Sequence, residues 1–212
     1  MKQSALLILN GEPPSKTLLN LYWKQSSLRI CADGAANFLY DNGLKPDIII
    51  GDLDSISQET RKYYGESMIL HIHDQETTDC EKAIHYCNNR GVDKIVMLGA
   101  LGERMDHSLY NLGVLKSLLN SEIPITIQTK RERIFLIQDQ FTFSEPPGTI
   151  VSFLPIFGTV QGVRTKNFQY SINGESLELG MKSSISNRIE KSLASVQIEE
   201  GYLLVVVHAD AR

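Results

Sequence analysis

Short apolar runs alternate with longer amphipathic stretches along the first two thirds of the chain. The run Ala5–Leu9 is typical of a buried strand and ends at the turn signal Asn10-Gly11. Strands rich in Ile and Val that alternate with helices predict a mostly parallel sheet with helices on both faces, an α/β arrangement. In the last predicted helix, leucines at helical spacing predict a buried stripe of Leu109, Leu112, Leu115 and Leu119. The predicted strands are 5–9, 28–32, 47–50, 68–72 and 94–98, and the predicted helices are 35–42, 57–64, 78–89 and 107–119.

The pattern changes after about Gln140. Helical periodicity disappears, and short β-rich segments recur between turn residues such as Pro146-Pro147-Gly148. We therefore predict an α/β domain over residues 1–140 and a compact C-terminal all-β sandwich over 141–212. The predicted strands of this second domain are 149–154, 159–165, 174–179, 194–198 and 202–208.

Composition and charge exclude several classes of protein. The net charge is −4, and the only basic cluster is the short segment Lys130–Arg133, which argues against a nucleic-acid-binding protein. Cys31, Cys80 and Cys87 form no CxxC pair, so a zinc site is not indicated and reduced thiols are expected. No segment has the features of a signal peptide or is apolar for long enough to cross a bilayer. We expect a soluble cytoplasmic protein.

Acidic residues follow the predicted strands, where α/β proteins place their binding sites. Asp33, Asp79 and Asp106 each lie between a strand and a helix, and Asp52 and Asp54 follow the apolar run Ile48-Ile49-Ile50. If the chain is still extended there, Asp52 and Asp54 point to the same side and repel each other unless a cation lies between them. Mg²⁺ prefers such hard oxygen ligands.

Each acid also has a simpler interpretation. Asp54, Asp79 and Asp106 could cap helices, and Asp33 could shape a turn. His107, a lone histidine beside a helix start, is more often a surface residue than a functional one. Acids at the ends of four different strands nevertheless favour a metal and polyphosphate site. The absence of a GxxxxGK[ST] motif excludes the P-loop kinases.

The acids lie in four short motifs: Ala32-Asp33-Gly34-Ala35-Ala36-Asn37, Gly51-Asp52-Leu53-Asp54-Ser55, Thr78-Asp79-Cys80-Glu81-Lys82-Ala83 and Gly102-Glu103-Arg104-Met105-Asp106-His107. In this order they resemble the motifs of the thiamine pyrophosphokinase family. The resemblance covers nearly the whole chain and continues in the second half, where Gly180–Asn187 is similar to the Ser/Asn segment of that family's C-terminal domain. Many bacterial relatives have Glu after the Ser-Asn pair, whereas Arg188 stands here.

The resemblance implies pyrophosphate transfer from ATP to the thiamine hydroxyl, with Mg²⁺ as cofactor and AMP as product. It implies an ATP- and Mg²⁺-binding catalytic domain, a thiamine-binding β-sandwich and a homodimer whose active sites lie between subunits. Asp52, Asp54, Asp79 and Asp106 would hold the metal, and Lys82 and Arg104 would offset phosphate charge. Asp33, Asn37, Thr78, Arg104 and His107 would bind ATP, and Gln75, Ser184, Ser186 and Asn187 would bind thiamine.

Two other functions are compatible with the acidic loops. One is a pyrophosphokinase of the same build that acts on another hydroxymethyl heterocycle, such as a pterin. The other is a non-catalytic sensor of a nucleotide or vitamin. The C-terminal Ser/Asn segment disfavours the pterin enzyme, and intact acids in all four loops disfavour the sensor.

Overall fold

The computed structural model describes residues 3–74, 76–119 and 123–208. The chain forms two compact units that divide between Lys130 and Arg131. Ten residues separate this division from the predicted boundary at residue 140, because strand 132–137 pairs within the second unit.

The first unit is a parallel sheet with interspersed helices. Six strands lie in the order β6-β5-β1-β2-β3-β4, and every pair of neighbours is parallel. Its elements in chain order are β1 (Ser4–Ile8), α1 (Lys16–Gln25), β2 (Leu28–Ala32), α2 (Ala35–Asp41), β3 (Ile48–Gly51), α3 (Gln58–Tyr64), β4 (Ile69–His71), α4 (Asp79–Asn88), β5 (Lys94–Leu98), α5 (Met105–Ser117) and β6 (Ile125–Gln128).

The position of β1 inside the sheet explains its continuous apolar sequence. All five of its residues are buried, because strands pair with it on both edges and helices cover the sheet. Leu6 and Ile8 share one core cluster with Leu19 of α1 and Leu39 of α2. The predicted parallel α/β sheet is confirmed.

Helix α5 differs from its prediction. It begins at Met105, and Leu109 is 60% exposed, whereas Val114 and Leu115 are buried. Leu112 and Leu119 are only partly buried. The predicted leucine stripe is therefore wrong in its first half. Helical spacing identifies residues that share a face, but it does not determine how much of that face the rest of the protein covers.

The second unit is built from two antiparallel sheets, with strand orders β12-β9-β14-β7 and β11-β10-β13-β8. Phe143, Phe153 and Phe168 meet edge to face in its core, with ring centroids 5.4–6.2 Å apart. The five predicted strands are present, together with β7, β8 and β12. The strands are β7 (Glu132–Ile137), β8 (Gln140–Thr142), β9 (Ile150–Leu154), β10 (Val160–Lys166), β11 (Asn173–Leu177), β12 (Ser184–Arg188), β13 (Ser195–Gln197) and β14 (Leu203–His208).

Across the described part of the chain, every helix is too short or too polar to traverse a membrane.

Candidate active site

A cavity of about 980 Å³ opens at the carboxyl ends of the parallel strands. All the residues that line it belong to the first unit. This is the edge at which open α/β sheets bind their ligands. Eight of the residues predicted from the sequence line it: Asp33, Asp52, Thr78, Asp79, Lys82, Arg104, Asp106 and His107.

Tightly packed loops after β1 and β5 form one wall of the cavity. The N–H of Gly11 donates to the carbonyl of Gly99 at 2.8 Å, and the N–H of Glu12 donates to that of Leu101 at 2.7 Å. A Cβ atom on Gly99 would lie 2.2 Å from the carbonyl oxygen of Leu9. Glycine is therefore required at position 99, where φ is also +66°.

Asp33, Asp52 and Asp54 form one cluster, in which a carboxylate oxygen from each lies within 4.8 Å of the others. The chain is not extended through Asp54, because β3 ends at Gly51 and Leu53 adopts a left-handed φ of +68°. The resulting turn, in which the N–H of Asp54 faces Asp52 Oδ1 at 3.5 Å, still places the two carboxylates together.

Asp33 is the buried member of the cluster, with 4% of its surface exposed. Its Oδ2 accepts a hydrogen bond from the N–H of Ser55 at 3.2 Å, whereas Oδ1 has no hydrogen-bond partner among the described residues. Burial, together with the neighbouring Asp79, Asp54 and Asp52, raises the pKa of Asp33 to about 6, against the lowering effect of the hydrogen bond from Ser55. A buried, unpartnered carboxylate oxygen beside two other carboxylates suits a divalent cation.

Asp79 opens helix α4 and is paired with a buried lysine. Thr78 caps the helix through a capping box with Glu81. Lys82 Nζ lies 3.2 Å from Asp79 Oδ1, and only 5% of the lysine side chain is exposed. Burial raises the pKa of Asp79, and the bond to Lys82 opposes this shift. A Cβ atom on Gly51 would lie 3.3 Å from Asp79 Oδ1, so Asp79 approaches the end of β3 closely.

Arg104 and Asp106 form an exposed pair at the start of α5, and both line the cavity. Arg104 Nε donates to Asp106 Oδ1 at 3.1 Å, and the N–H of His107 donates to the same oxygen at 2.9 Å. The Arg104 guanidinium lowers the pKa of Asp106 to about 2. Neither Asp79 nor Asp106 belongs to the three-carboxylate cluster found among the described residues.

Asn37 contacts a loop and does not line the cavity. Its Nδ2 donates to the carbonyl of Ser55 at 2.9 Å, and its Oδ1 accepts from the N–H of Ser57 at 3.0 Å. Both polar atoms of the amide therefore hold the segment that follows Asp54. Sequence reasoning placed Asn37 at the nucleotide and did not recognise this supporting contact.

The Ser/Asn segment lies in the second unit, on β12. Asn187 is 1% exposed: its Oδ1 accepts from the N–H groups of Tyr170 and Arg188, and its Nδ2 donates to the carbonyl of Tyr170 at 2.7 Å. Ser186 is exposed and has a φ of +56°. Arg188 donates to the carbonyl of Gly148 at 2.8 Å. Gln75, the fourth residue predicted to bind thiamine, lies outside the described residues.

Comparison with known proteins matches each of the two units to a family model. Residues 19–127 match the family model "Thiamin pyrophosphokinase, catalytic domain", and residues 137–203 match "Thiamin pyrophosphokinase, vitamin B1 binding domain". Thiamine pyrophosphokinase 1 of Arabidopsis thaliana is 30% identical over 95% of this chain and 85% of its own length. The Bacillus subtilis thiamine pyrophosphokinase is 26% identical over 89% of this chain and 91% of its own length. A crystal structure of the Bacillus subtilis enzyme has the same fold, with a TM-score of 0.85 and 22% identity over 98% of this chain and all of that one. The chain belongs to the thiamine pyrophosphokinase family.

Proposed function

We propose that the cavity at the carboxyl edge of the parallel sheet is where this chain performs the reaction of its family. That reaction transfers pyrophosphate from ATP to the hydroxyl group of thiamine, giving thiamine diphosphate and AMP. The observation that carries the proposal is the unpartnered, buried Oδ1 of Asp33 within a cluster of three carboxylates. Such a group is stabilised by a cation, and polyphosphate transfer requires one.

We assign Mg²⁺ to Asp33, Asp52 and Asp54, with Asp79 at the edge of the same group. This revises the role of Asp33, which the sequence placed on the nucleotide side. Bound there, Mg²⁺ supplies charge neutralisation at the phosphate oxygens. Asp106 forms an ion pair with Arg104, so we assign Asp106 to orienting the Arg104 guanidinium.

Cationic and polar side chains supply the remaining phosphate contacts. Arg104 has the fork geometry that suits phosphate oxygens, and Lys82 contributes a buried positive charge beside Asp79. His107 and Thr78 line the same cavity and complete the ATP-binding set. Asn37 acts indirectly, because it holds the loop after Asp54.

Thiamine recognition falls to the second unit, whose match to the vitamin B1 binding domain supports this assignment. The exposed hydroxyl of Ser186 and the half-buried hydroxyl of Ser184 are the groups we assign to thiamine, together with Gln75. Asn187 positions the segment, because its amide is occupied by hydrogen bonds within the unit. We infer that two copies form a homodimer in which β12 of one subunit serves the cavity of the other.

The state of the thiols supports our proposal for the cellular location. Cys31, Cys80 and Cys87 are free and buried. Free thiols favour a reducing compartment, so we place the protein in the cytoplasm.

The decisive test incubates the purified protein with thiamine, ATP and Mg²⁺ and identifies the nucleotide product. AMP together with thiamine diphosphate supports the proposal, whereas ADP with thiamine monophosphate contradicts it. Replacing thiamine with a hydroxymethylpterin tests the alternative pyrophosphokinase, which alone would release AMP with that acceptor. Tight thiamine binding without turnover would instead indicate a sensor.

A further inference from the structure

Tyr110 is an aromatic residue in the wall of the active-site cavity. It lies on α5 one turn after Asp106, and it is 50% exposed. Residues four apart on a helix are neighbours on one face, so Tyr110 lies next to Asp106, the partner of Arg104. None of the phosphate or metal contacts assigned above uses it.

The hydroxyl group of Tyr110 is held by the neighbouring helix. It lies 3.3 Å from both carboxylate oxygens of Glu81 in the first turn of α4. Glu81 itself accepts hydrogen bonds from the backbone N–H and the hydroxyl of Thr78, each at 2.9 Å. The Glu81 carboxylate also raises the pKa of Tyr110, which keeps the hydroxyl protonated as a donor. The ring is thus held at its hydroxyl end, while half of the residue's surface remains exposed.

Tyr110 carries the largest ring of the cavity wall. It is the sole phenolic or phenyl side chain of the described lining, and His107, assigned above to ATP, contributes the other aromatic ring. The remaining lining combines charged and polar side chains with glycines and the smaller apolar residues Leu9, Pro13, Ala32, Cys80 and Ala100. Both substrates of the proposed reaction contain heteroaromatic rings, which require an apolar or aromatic surface in addition to the phosphate contacts. Aromatic stacking provides such a surface without selecting particular hydrogen bonds.

We propose that Tyr110 is the stacking platform for the heteroaromatic ring of a substrate bound in this cavity. The inference rests on the proposed function and adds a specificity-determining contact to it. The ring face carries the role, and the bond to Glu81 fixes its orientation. The two sources of such a ring are the adenine of ATP and the rings of thiamine, and the kinetics separate them.

The experiment compares the wild-type protein with Tyr110→Ala, Tyr110→Leu and Tyr110→Phe. Leu109→Ala is the matched control, since it truncates an exposed side chain of the same helix that does not line the cavity. KM for ATP, KM for thiamine and kcat are measured for each, and circular dichroism melting identifies any variant that fails to fold. Tyr110→Leu keeps bulk without an aromatic face, so it remains informative if the alanine variant unfolds. Inhibition by inorganic tripolyphosphate provides a probe that has phosphates but no ring.

We expect KM for one substrate to rise about tenfold in Tyr110→Ala and Tyr110→Leu, the loss typical of one removed stacking contact. Tyr110→Phe should stay within about threefold of wild type, because it keeps the ring. If only KM for ATP rises and tripolyphosphate inhibition is unchanged, the ring that stacks on Tyr110 is adenine. If only KM for thiamine rises, it is a ring of thiamine. Unchanged KM values in an active Tyr110→Leu enzyme overturn the inference, as does an equal loss in Tyr110→Phe. A wild-type protein that releases no AMP would instead refute the proposed function itself.

Discussion

The ammonium nitrogen of Lys82 lies 3.2 Å from a carboxylate oxygen of Asp79, and the lysine is the more deeply buried partner. They are three positions apart on α4, so one helical turn holds both charges. Burial and the nearby acids favour protonation of Asp79, and the lysine opposes it. The lysine therefore favours the ionised form of a half-buried carboxylate at the edge of the acidic cluster.

Removal of the ammonium group should impair activity at neutral pH. In Lys82→Met the pKa of Asp79 rises, because its burial is no longer offset, so the ionised fraction falls. We expect kcat to fall about 100-fold, which is the typical effect of removing one fixed charge that stabilises a reacting group. We also expect the pH of half-maximal activity to move upward. Measurement of kcat between pH 6 and 9 tests this. Lys62→Met, which alters an exposed lysine of α3, should leave the profile unchanged; an unshifted profile in Lys82→Met would show that the lysine is dispensable.

Neutralising one member of the three-carboxylate cluster should remove most of the catalysis. Asp52→Asn strips a negative ligand from the site while preserving side-chain size, so we expect kcat to fall at least about 100-fold without unfolding. Its Mg²⁺ requirement should move to higher concentrations. Asp41→Asn, at an exposed position of α2, is the control. Near-normal turnover in Asp52→Asn would refute the metal assignment.

A methyl group at position 51 should displace two of the acids. A Cβ atom on Gly51 would lie 2.7 Å from the Cβ of Asp33 and 3.3 Å from Asp79 Oδ1. We expect Gly51→Ala to lower activity strongly and to destabilise the fold by about 1–3 kcal/mol through overpacking. Gly113→Ala is the matched control, because open space surrounds that helical position and alanine should stabilise it by up to about 1 kcal/mol. Enzyme assays and urea unfolding measure both effects, and equal behaviour of the two variants would contradict this expectation.

The raised pKa of Asp33 predicts how stability depends on pH when no metal is present. The folded-state pKa of about 6 exceeds the ordinary Asp value of 3.8, so the folded protein binds the proton more tightly than the unfolded chain does. This contribution to stability is complete below pH 3.8 and is lost as the pH rises through about 6. We expect a loss of about 1–2 kcal/mol, less than the full shift would give because Asp33 lies beside an open cavity whose solvent partly screens its charge.

Asp33→Asn should abolish that dependence. Urea unfolding in EDTA at pH 5 and pH 7.5 compares the variant with wild type, and Mg²⁺ at pH 7.5 should restore stability only to the protein that keeps its carboxylate. The same slope in both proteins would mean that Asp33 titrates normally.

Two neighbours on β12 should respond differently to alanine. Ser186 is exposed, so Ser186→Ala should raise KM for thiamine more than KM for ATP and leave the melting temperature unchanged. Asn187→Ala should destabilise the protein by about 1–3 kcal/mol, because it removes the buried amide that satisfies the part-buried backbone N–H and carbonyl of Tyr170. Its effect on thiamine would then be indirect. A rise confined to KM for ATP in Ser186→Ala would refute the thiamine assignment.

Much of the first unit could be predicted from hydrophobic periodicity and strand-end position. Fully buried strands such as β1 read as continuous apolar runs, and the ends of parallel strands must converge at one edge. The acids at those ends therefore meet in one cavity, as expected. Which of them form a single cluster could not be predicted, because it depends on the left-handed turn at Leu53 and on the depth at which Asp33 lies.

Side-chain burial was the other missing information. The sequence of β12 contains three polar residues in a row at Ser186–Arg188, and a polar side chain is usually assumed to face solvent or ligand. Asn187 is instead buried and bonds the backbone groups of Tyr170, at a register shift between β12 and β9. Similarly, Leu109 has the spacing of a core residue but is exposed near the cavity wall.

The residues that line the cavity all precede position 112, whereas the match to the vitamin B1 binding domain begins at residue 137. The two stretches of sequence do not overlap. A library of variants restricted to residues 137–203 would leave the acidic cluster intact. Selection from it for new acceptor alcohols would change the acceptor and keep the pyrophosphate donor constant. The chain is thus suited to directed evolution in which each half of the reaction is varied separately.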